Sequence, residues 1–457
     1  MTFEVGDRVD PATLVQQRWF AAPGVPIQSI TIQDRFQLPG GGALAILRID
    51  AAGGRVLRRS MPIESGDGRG PWLGLLELVS TTGVVRGEAG GSLTGHPEPG
   101  TSGVAGHDVR PLGKDQSHTS VVIDEAILVK LYRALSPGVN TEVELGQALL
   151  TRPSAPVPRF RGHVRVHLER PDGQHERTVV AFVQDFVPDA GDAFEDLADR
   201  LAAWLRAGAP NRAVPSLVQA GVPAGLAAAR LHGALAGVGR RSFVPRDARV
   251  QDVDWWRRRA ALAHRTASRR LRAVDPGRAS WLAARHDQIQ GALTALASPA
   301  PHRIQRIHAD LHLGQLLRAG DGFLVADLEG EPGRPVAERR RLDLPLRDVA
   351  SMLRSFDHVG RSGMRRSGVP IEEVAAGTSP ADAPIDAWLV AIRSAFLDAY
   401  AAEAGTQGHR LEIDRSLLHT LEVEKELYEF SYAATYLPTW MYAPAAGMRW
   451  LLDRGPA

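Results

Sequence analysis

The stretch IHADLHLGQLL, Ile307 to Leu317, gathers two His, one Asp and one Gln into the eight positions His308 to Gln315. Twelve residues after Gln315, Asp327 ends the apolar run FLVA. Asp310 is placed to accept a proton from a hydroxyl. Gln315 offers a neutral oxygen ligand and Asp327 a charged one, a pair suited to Mg²⁺. A base, an amide ligand and a second carboxylate form the division of labour that phosphoryl transfer from ATP requires. The same stretch admits a metallohydrolase, since His-x-Asp-x-His can ligate zinc. That reading needs further His ligands, and His358, His409 and His419 show no ligand spacing. His308 is expected to prop the loop by hydrogen bonds.

Around this stretch the composition is ordinary. The chain has 457 residues, 44% hydrophobic and 23% charged, with 54 basic against 52 acidic residues. That balance gives no footprint for nucleic acid. Cysteine is absent, which excludes disulfides and thiolate catalysis and suits a reducing cytoplasm. No apolar run approaches the length of a membrane span, and the first residues lack a signal-peptide pattern. Only three of the basic residues are lysines: Lys114, Lys130 and Lys425. Arg and Lys are not interchangeable where a compact ammonium is needed, so Lys130 and Lys425 become candidates for special roles.

Before residue 88 the pattern is β-rich after a short opening helix, with ALAILRID and VLRRSMPI as strands around AAGGR. Gly87–Asp108 reads as a loop and a boundary. VVI and AILVKLY are strands about an Asp124–Glu125 turn, TEVELGQALL begins a helix, and HVRVHLER with RTVVAFVQDFV forms a hairpin. From about residue 190 apolar residues recur at helical spacing. Gly360–Pro384 reads as a mobile linker. Lys130, on its strand, is placed to meet phosphates, and Glu142 or Glu144 on the next helix to hold it.

These motifs resemble the maltokinase-like enzymes of actinobacteria, within the wider aminoglycoside-phosphotransferase and protein-kinase-like fold. VQQRWF (15–20) resembles the family's N-terminal cap, QSHTS (116–120) its phosphate-covering loop, LVKLYRALSPGVNTEVEL its lysine strand and helix, and FVQDFVPDAGDAF (182–194) its hinge. The resemblance implies an α+β, bilobal fold: a cap subdomain over 1–100, an intermediate β subdomain over 101–188 and an α-helical C-lobe over 189–457. It implies ATP contacts from Lys130, paired with Glu144, and from Ser117, Thr119 and Ser120, with backbone groups of Gln184 to Phe186 meeting adenine. Mg²⁺ would sit on Gln315 and Asp327, and Asp348 would brace the metal-binding segment.

The acceptor is read from a late helix. EKELYE keeps Glu424, Lys425 and Glu429 of the maltokinase pattern. YAATYLPTWM keeps Trp440 but puts Ala433, Thr435, Tyr436 and Leu437 where maltokinases carry charged and amide groups. Glu422, Lys425, Glu426 and Glu429 share a helical face. Carboxylates beside a Trp suit an ammonium group. This is similar to the glucosamine kinases, whose product is glucosamine 6-phosphate. Asp310, His312, Glu424, Lys425, Glu429 and Trp440 are then the expected sugar contacts. Maltose, an aminoglycoside, and a kinase-fold binding module without turnover remain alternatives. The expected partners are ATP and a small sugar, with no nucleic acid and no membrane, in a cytoplasmic monomer or weak dimer.

Overall fold

A computed structural model describes residues 26–64, 66–113, 118–169, 175–297, 302–332, 334–406 and 413–455. The cap motif VQQRWF (15–20) and Gln116 and Ser117 of the phosphate loop lie outside these residues. Contacts divide the chain into two units, one of residues 1–150 and 158–188 and the other of 151–157 and 189–457.

In the first unit, β1 (Ile27–Gln37), β2 (Ala43–Ala51) and β3 (Arg55–Ile63) run antiparallel in sequence order. A second sheet has the order β4-β5-β10-β11-β8-β7-β6. Its strands are β4 (Val84–Arg86), β5 (Ser92–Pro97), β6 (Val109–Pro111), β7 (His118–Ile123), β8 (Ile127–Tyr132), β10 (Phe160–Glu169) and β11 (His175–Asp185); β9 (Ala134–Leu135) joins the first sheet. Asp124 and Glu125 both take φ of 51°, so the β7–β8 connection is the tight turn expected at that dipeptide. Helix α1 (Gly70–Thr81) lays Leu75, Leu76, Leu78 and Val79 into a core with Leu93, Val129, Leu131 and Val164.

Two features differ from expectation here. GPWLGLLELVST is a helix within a region read as β-rich; it is so apolar that its helical period is faint. Strand β5 lies within Gly87–Asp108, read as loop. Its glycine is the reason for the disguise: a Cβ on Gly95 would sit 1.8 Å from the Leu78 carbonyl oxygen. Only glycine lets the strand lie this close to α1.

The second unit is helical: α3 (Ala193–Arg206), α4 (Gly221–Ala236), α5 (Val250–Val274), α6 (Pro345–Ser367), α7 (Asp382–Thr406), α8 (Arg415–Tyr436) and α9 (Tyr442–Arg454), with α2 (Thr141–Leu149) belonging to the first unit. A short hairpin of β14 (Leu316–Ala319) and β15 (Gly322–Val325) follows the loop at Asp310, and β12 (Arg246–Asp247) pairs with β13 (Arg303–Ile304). The expected linker at Gly360–Pro384 is instead mostly helix: α6 runs through to Ser367 and a further helix spans Ile371–Ala376. Its glycines serve packing rather than freedom. A Cβ on Gly363 would stand 2.7 Å from the Leu201 Cβ, and one on Gly360 would stand 3.1 Å from the Trp388 ring.

Gly95→Ala is expected to destabilise the protein by about 1–3 kcal/mol through overpacking. Thermal denaturation reads this as a lowered Tm, and an unchanged Tm would mean that strand and helix can part at no cost.

Candidate active site

The first unit supplies a buried lysine. Lys130 lies on β8, and strand alternation puts Tyr132 on the same face. Both turn to Glu142 in the first turn of α2: Lys130 Nζ is 2.9 Å from Glu142 Oε2, and the Tyr132 hydroxyl donates to the same oxygen. All three side chains are buried. The carboxylate set against Lys130 is therefore Glu142 rather than the expected Glu144. Two helical steps of about 100° point Glu144 to another side of the helix.

Ser120 is opposite Lys130 in the β7–β8 register and so shares its face. Thr119 points to the other face, where its hydroxyl accepts a hydrogen bond from Arg133 Nε at 2.8 Å, so it does not share a face with Ser120. Ser117 lies outside the described residues. Gln184 is buried opposite Leu128. The N–H of Asp185 donates to the Arg159 carbonyl and that of Phe186 to Ala126. Those two donors are therefore engaged within the protein, which narrows the backbone groups of Gln184 to Phe186 that adenine could meet.

In the second unit the loop around Asp310 is tied down from beneath. Asp348, in the first turn of α6 and 1% exposed, accepts from the backbone N–H of His308 at 2.7 Å and of Ala309 at 2.9 Å. His232 Nε2 lies 3.0 Å from the same carboxylate, with Tyr400 behind it. Ala309 is held at φ 68°, a left-handed conformation that this double bond sustains. His308 Nε2 donates to the Ala326 carbonyl, and its Nδ1 accepts from the Asp310 N–H. Both ring nitrogens are thus occupied, and His308 has none for zinc. Among the described residues no group of three or more His, Asp or Glu is gathered as a metal site.

Asp310, His312, Gln315, Asp327, Lys425, Glu429 and Trp440 all line one cavity of about 460 Å³. Gln315 Nε2 is 3.3 Å from Asp327 Oδ2, so the amide and the carboxylate stand side by side. Both offer hard oxygen donors, the chemistry that a magnesium ion takes. Burial holds His312 below its ordinary range. Trp440 stands with its ring 5.8 Å from that of Phe194 and edge-on to His358.

Lys425 is the hub of the charge pattern. Its Nζ is 3.1 Å from Asp310 Oδ1, 3.1 Å from Glu331 Oε1 and 3.1 Å from Glu429 Oε1. Burial opposes its charge, but Glu331, Asp310 and Glu429 outweigh that and hold the ammonium well above its usual range. For Glu331 too burial disfavours the charge, and Lys425, Arg334 and Arg259 outweigh it and hold its carboxyl well below the usual range.

Glu424 does not reach this cavity. It is buried against Arg259 Nε at 2.8 Å and Arg347 Nη1 at 3.0 Å. Glu422 is held by Arg354 and Arg393, and Glu426 by His358 and Arg354. The acidic helix is thus neither solvated nor wholly turned to a ligand; its carboxylates meet the basic face of α6. The signal was present in the sequence, since Arg347, Ser351, Arg354, His358 and Arg361 recur at four- and three-residue steps. Ser355 and Glu331 also went unmarked. Ser355 accepts from the Leu313 N–H at 3.0 Å and lines the cavity.

No protein-family model matches the chain. A glucosamine kinase of Mycolicibacterium smegmatis is 32% identical over 347 residues, 76% of this chain and 80% of that protein. One of Streptacidiphilus jiangxiensis is 30% identical over 353 residues, covering 74% and 72%. A solved glucosamine kinase in complex with glucosamine, ADP and inorganic phosphate superimposes with a TM-score of 0.66 at 24% identity, over 98% of each chain. A second crystal form of a glucosamine kinase gives 0.69. These superpositions establish a shared α+β fold.

Asp348→Ala strands two backbone donors and His232, and is expected to cost about 3 kcal/mol. Thermal denaturation, with faster hydrogen exchange at the amides of His308 and Ala309, checks this.

Proposed function

The chain belongs to the glucosamine kinase family, and from that membership we propose that it transfers the terminal phosphoryl group of ATP to the 6-hydroxyl of glucosamine. The observation that carries this reading is the one cavity that brings the Asp310 carboxylate, the Gln315–Asp327 pair, Glu429 and Trp440 to a common space. In the reaction a bond forms between the acceptor oxygen and the γ-phosphorus, and the bond from that phosphorus to the bridging oxygen of ADP breaks. Asp310 orients the hydroxyl and takes its proton. Gln315, through its amide oxygen, and Asp327 would hold magnesium, whose contribution when bound is to neutralise charge on the phosphates. Lys130, fixed by Glu142, is assigned to the ATP phosphates, with Ser120 opposite it on the neighbouring strand and on the same sheet face.

Charge supports a cationic acceptor. Asp192 and Glu195 join Asp310, Asp327 and Glu429 in the lining, while the permanent cations there are Lys425 and Arg354. Arg354 is already matched by Glu422 and Glu426. Glu429 keeps one oxygen on Lys425, which leaves the other for an ammonium group, and Trp440 offers an apolar face to the sugar ring.

Asp310→Asn is expected to lower kcat by about 10²-fold or more while ADP binding, read by calorimetry, persists; full turnover would remove Asp310 from its role. An ATP-consumption screen against glucosamine, glucose, maltose and an aminoglycoside tests the acceptor, with glucosamine expected to give the highest kcat/KM. Glu429→Gln should raise KM for glucosamine more than for glucose. Equal losses would remove the ammonium site, and turnover of maltose alone would replace the acceptor.

A further inference from the structure

Asp310 has its side chain held by Lys425, and Lys425 is itself held from below. Glu331 is buried, 3% exposed, and is not part of the cavity that Asp310 lines. One of its oxygens meets Lys425 and the other meets Arg334 and, at 3.6 Å, Arg259. Arg259 reaches on to Glu424 and Asp343, and Arg347 bridges the same two carboxylates. An ion-pair chain therefore runs from the protein interior to one oxygen of Asp310.

We propose that Lys425, anchored by Glu331, is a positioning residue that fixes Asp310 through Oδ1 and so leaves Oδ2 directed at the acceptor hydroxyl. The inference rests on the reading of Asp310 given above. It explains a choice of residue. An ammonium has three donors, and Lys425 has three carboxylates at equal distance, on the loop at Asp310, on the segment after β15 and one turn on along α8. The planar fork of an arginine cannot address three separate carboxylates in this way. In a chain where all but three of 54 basic residues are arginine, a lysine stands here. The anchoring also holds Lys425 on the cavity wall with its charge matched by three carboxylates, which limits its opposition to an ammonium guest.

The test measures kcat, KM for glucosamine and for ATP, and Tm for Glu331→Gln, Lys425→Met and Asp310→Asn. Misplacing a reacting group by about 1 Å costs on the order of 10²-fold. Glu331→Gln and Lys425→Met are therefore expected to lose about ten- to a hundred-fold in kcat. Glu331→Gln should leave both KM values within about two-fold of the parent, because Glu331 touches no substrate. Lys425→Arg should not restore the rate. Parental kcat in a folded Glu331→Gln protein, or full rescue by arginine, overturns the proposal. Failure of both Glu331→Gln and Lys425→Met to fold also overturns it, since the cluster is then scaffold alone. Full activity of Asp310→Asn would instead overturn the reading of the site on which this one rests.

Discussion

Two backbone N–H groups pointing at one carboxylate hold the loop at Asp310 in shape. Asp348 receives both from His308 and Ala309, and it can do so because α6 begins just before it and directs its first turn under the loop. The left-handed turn at Ala309, the hydrogen bonds of His308 and the outward presentation of Asp310 all follow from that anchor. Ser355, two turns along the same helix, takes the Leu313 N–H and fixes the far end of the loop. One helix thus sets both ends of the segment that carries Asp310.

The same helix also decides the character of the unit's interior. Its basic face meets the acidic face of α8, so that Glu422, Glu424 and Glu426 are fully buried with Arg347, Arg354 and His358. Buried ion pairs of this kind add little net stability, because desolvation offsets much of the attraction. Breaking one by removing a single partner leaves an uncompensated charge and is costly. The pairing therefore acts mainly on register: sliding α8 by one residue would bring carboxylates against carbon and leave arginines unmatched.

Much of this was legible in the sequence where chemistry and spacing coincide. Asp310, His312, Gln315 and Asp327, grouped by their spacing in the sequence, line one cavity in the fold. Lys130 stood out through the rarity of lysine. What remained hidden depended on tertiary contact. Glu142 and Glu144 are equivalent in the sequence, and only the angle at which α2 meets β8 separates them. Glycine at positions 95, 360 and 363 reads locally as looseness, whereas in the fold it marks close approach of backbone or side chains. The acidic helix could be assigned to a ligand only while its basic counterpart, about seventy residues earlier, went unread. Neither the amide donors already engaged at Asp185 and Phe186 nor the Arg133 bond to Thr119 leaves any trace in local pattern.

The second unit contains a single lysine, and its three acidic neighbours keep it protonated. Acylating reagents attack only the free amine. Lys425, ion-paired to three carboxylates and largely buried, is therefore shielded from them while its neighbours are in place, and is expected to become a target once they separate. Mass spectrometry after amine labelling would then follow the integrity of this ionic cluster at one residue, without a reporter group having to be introduced.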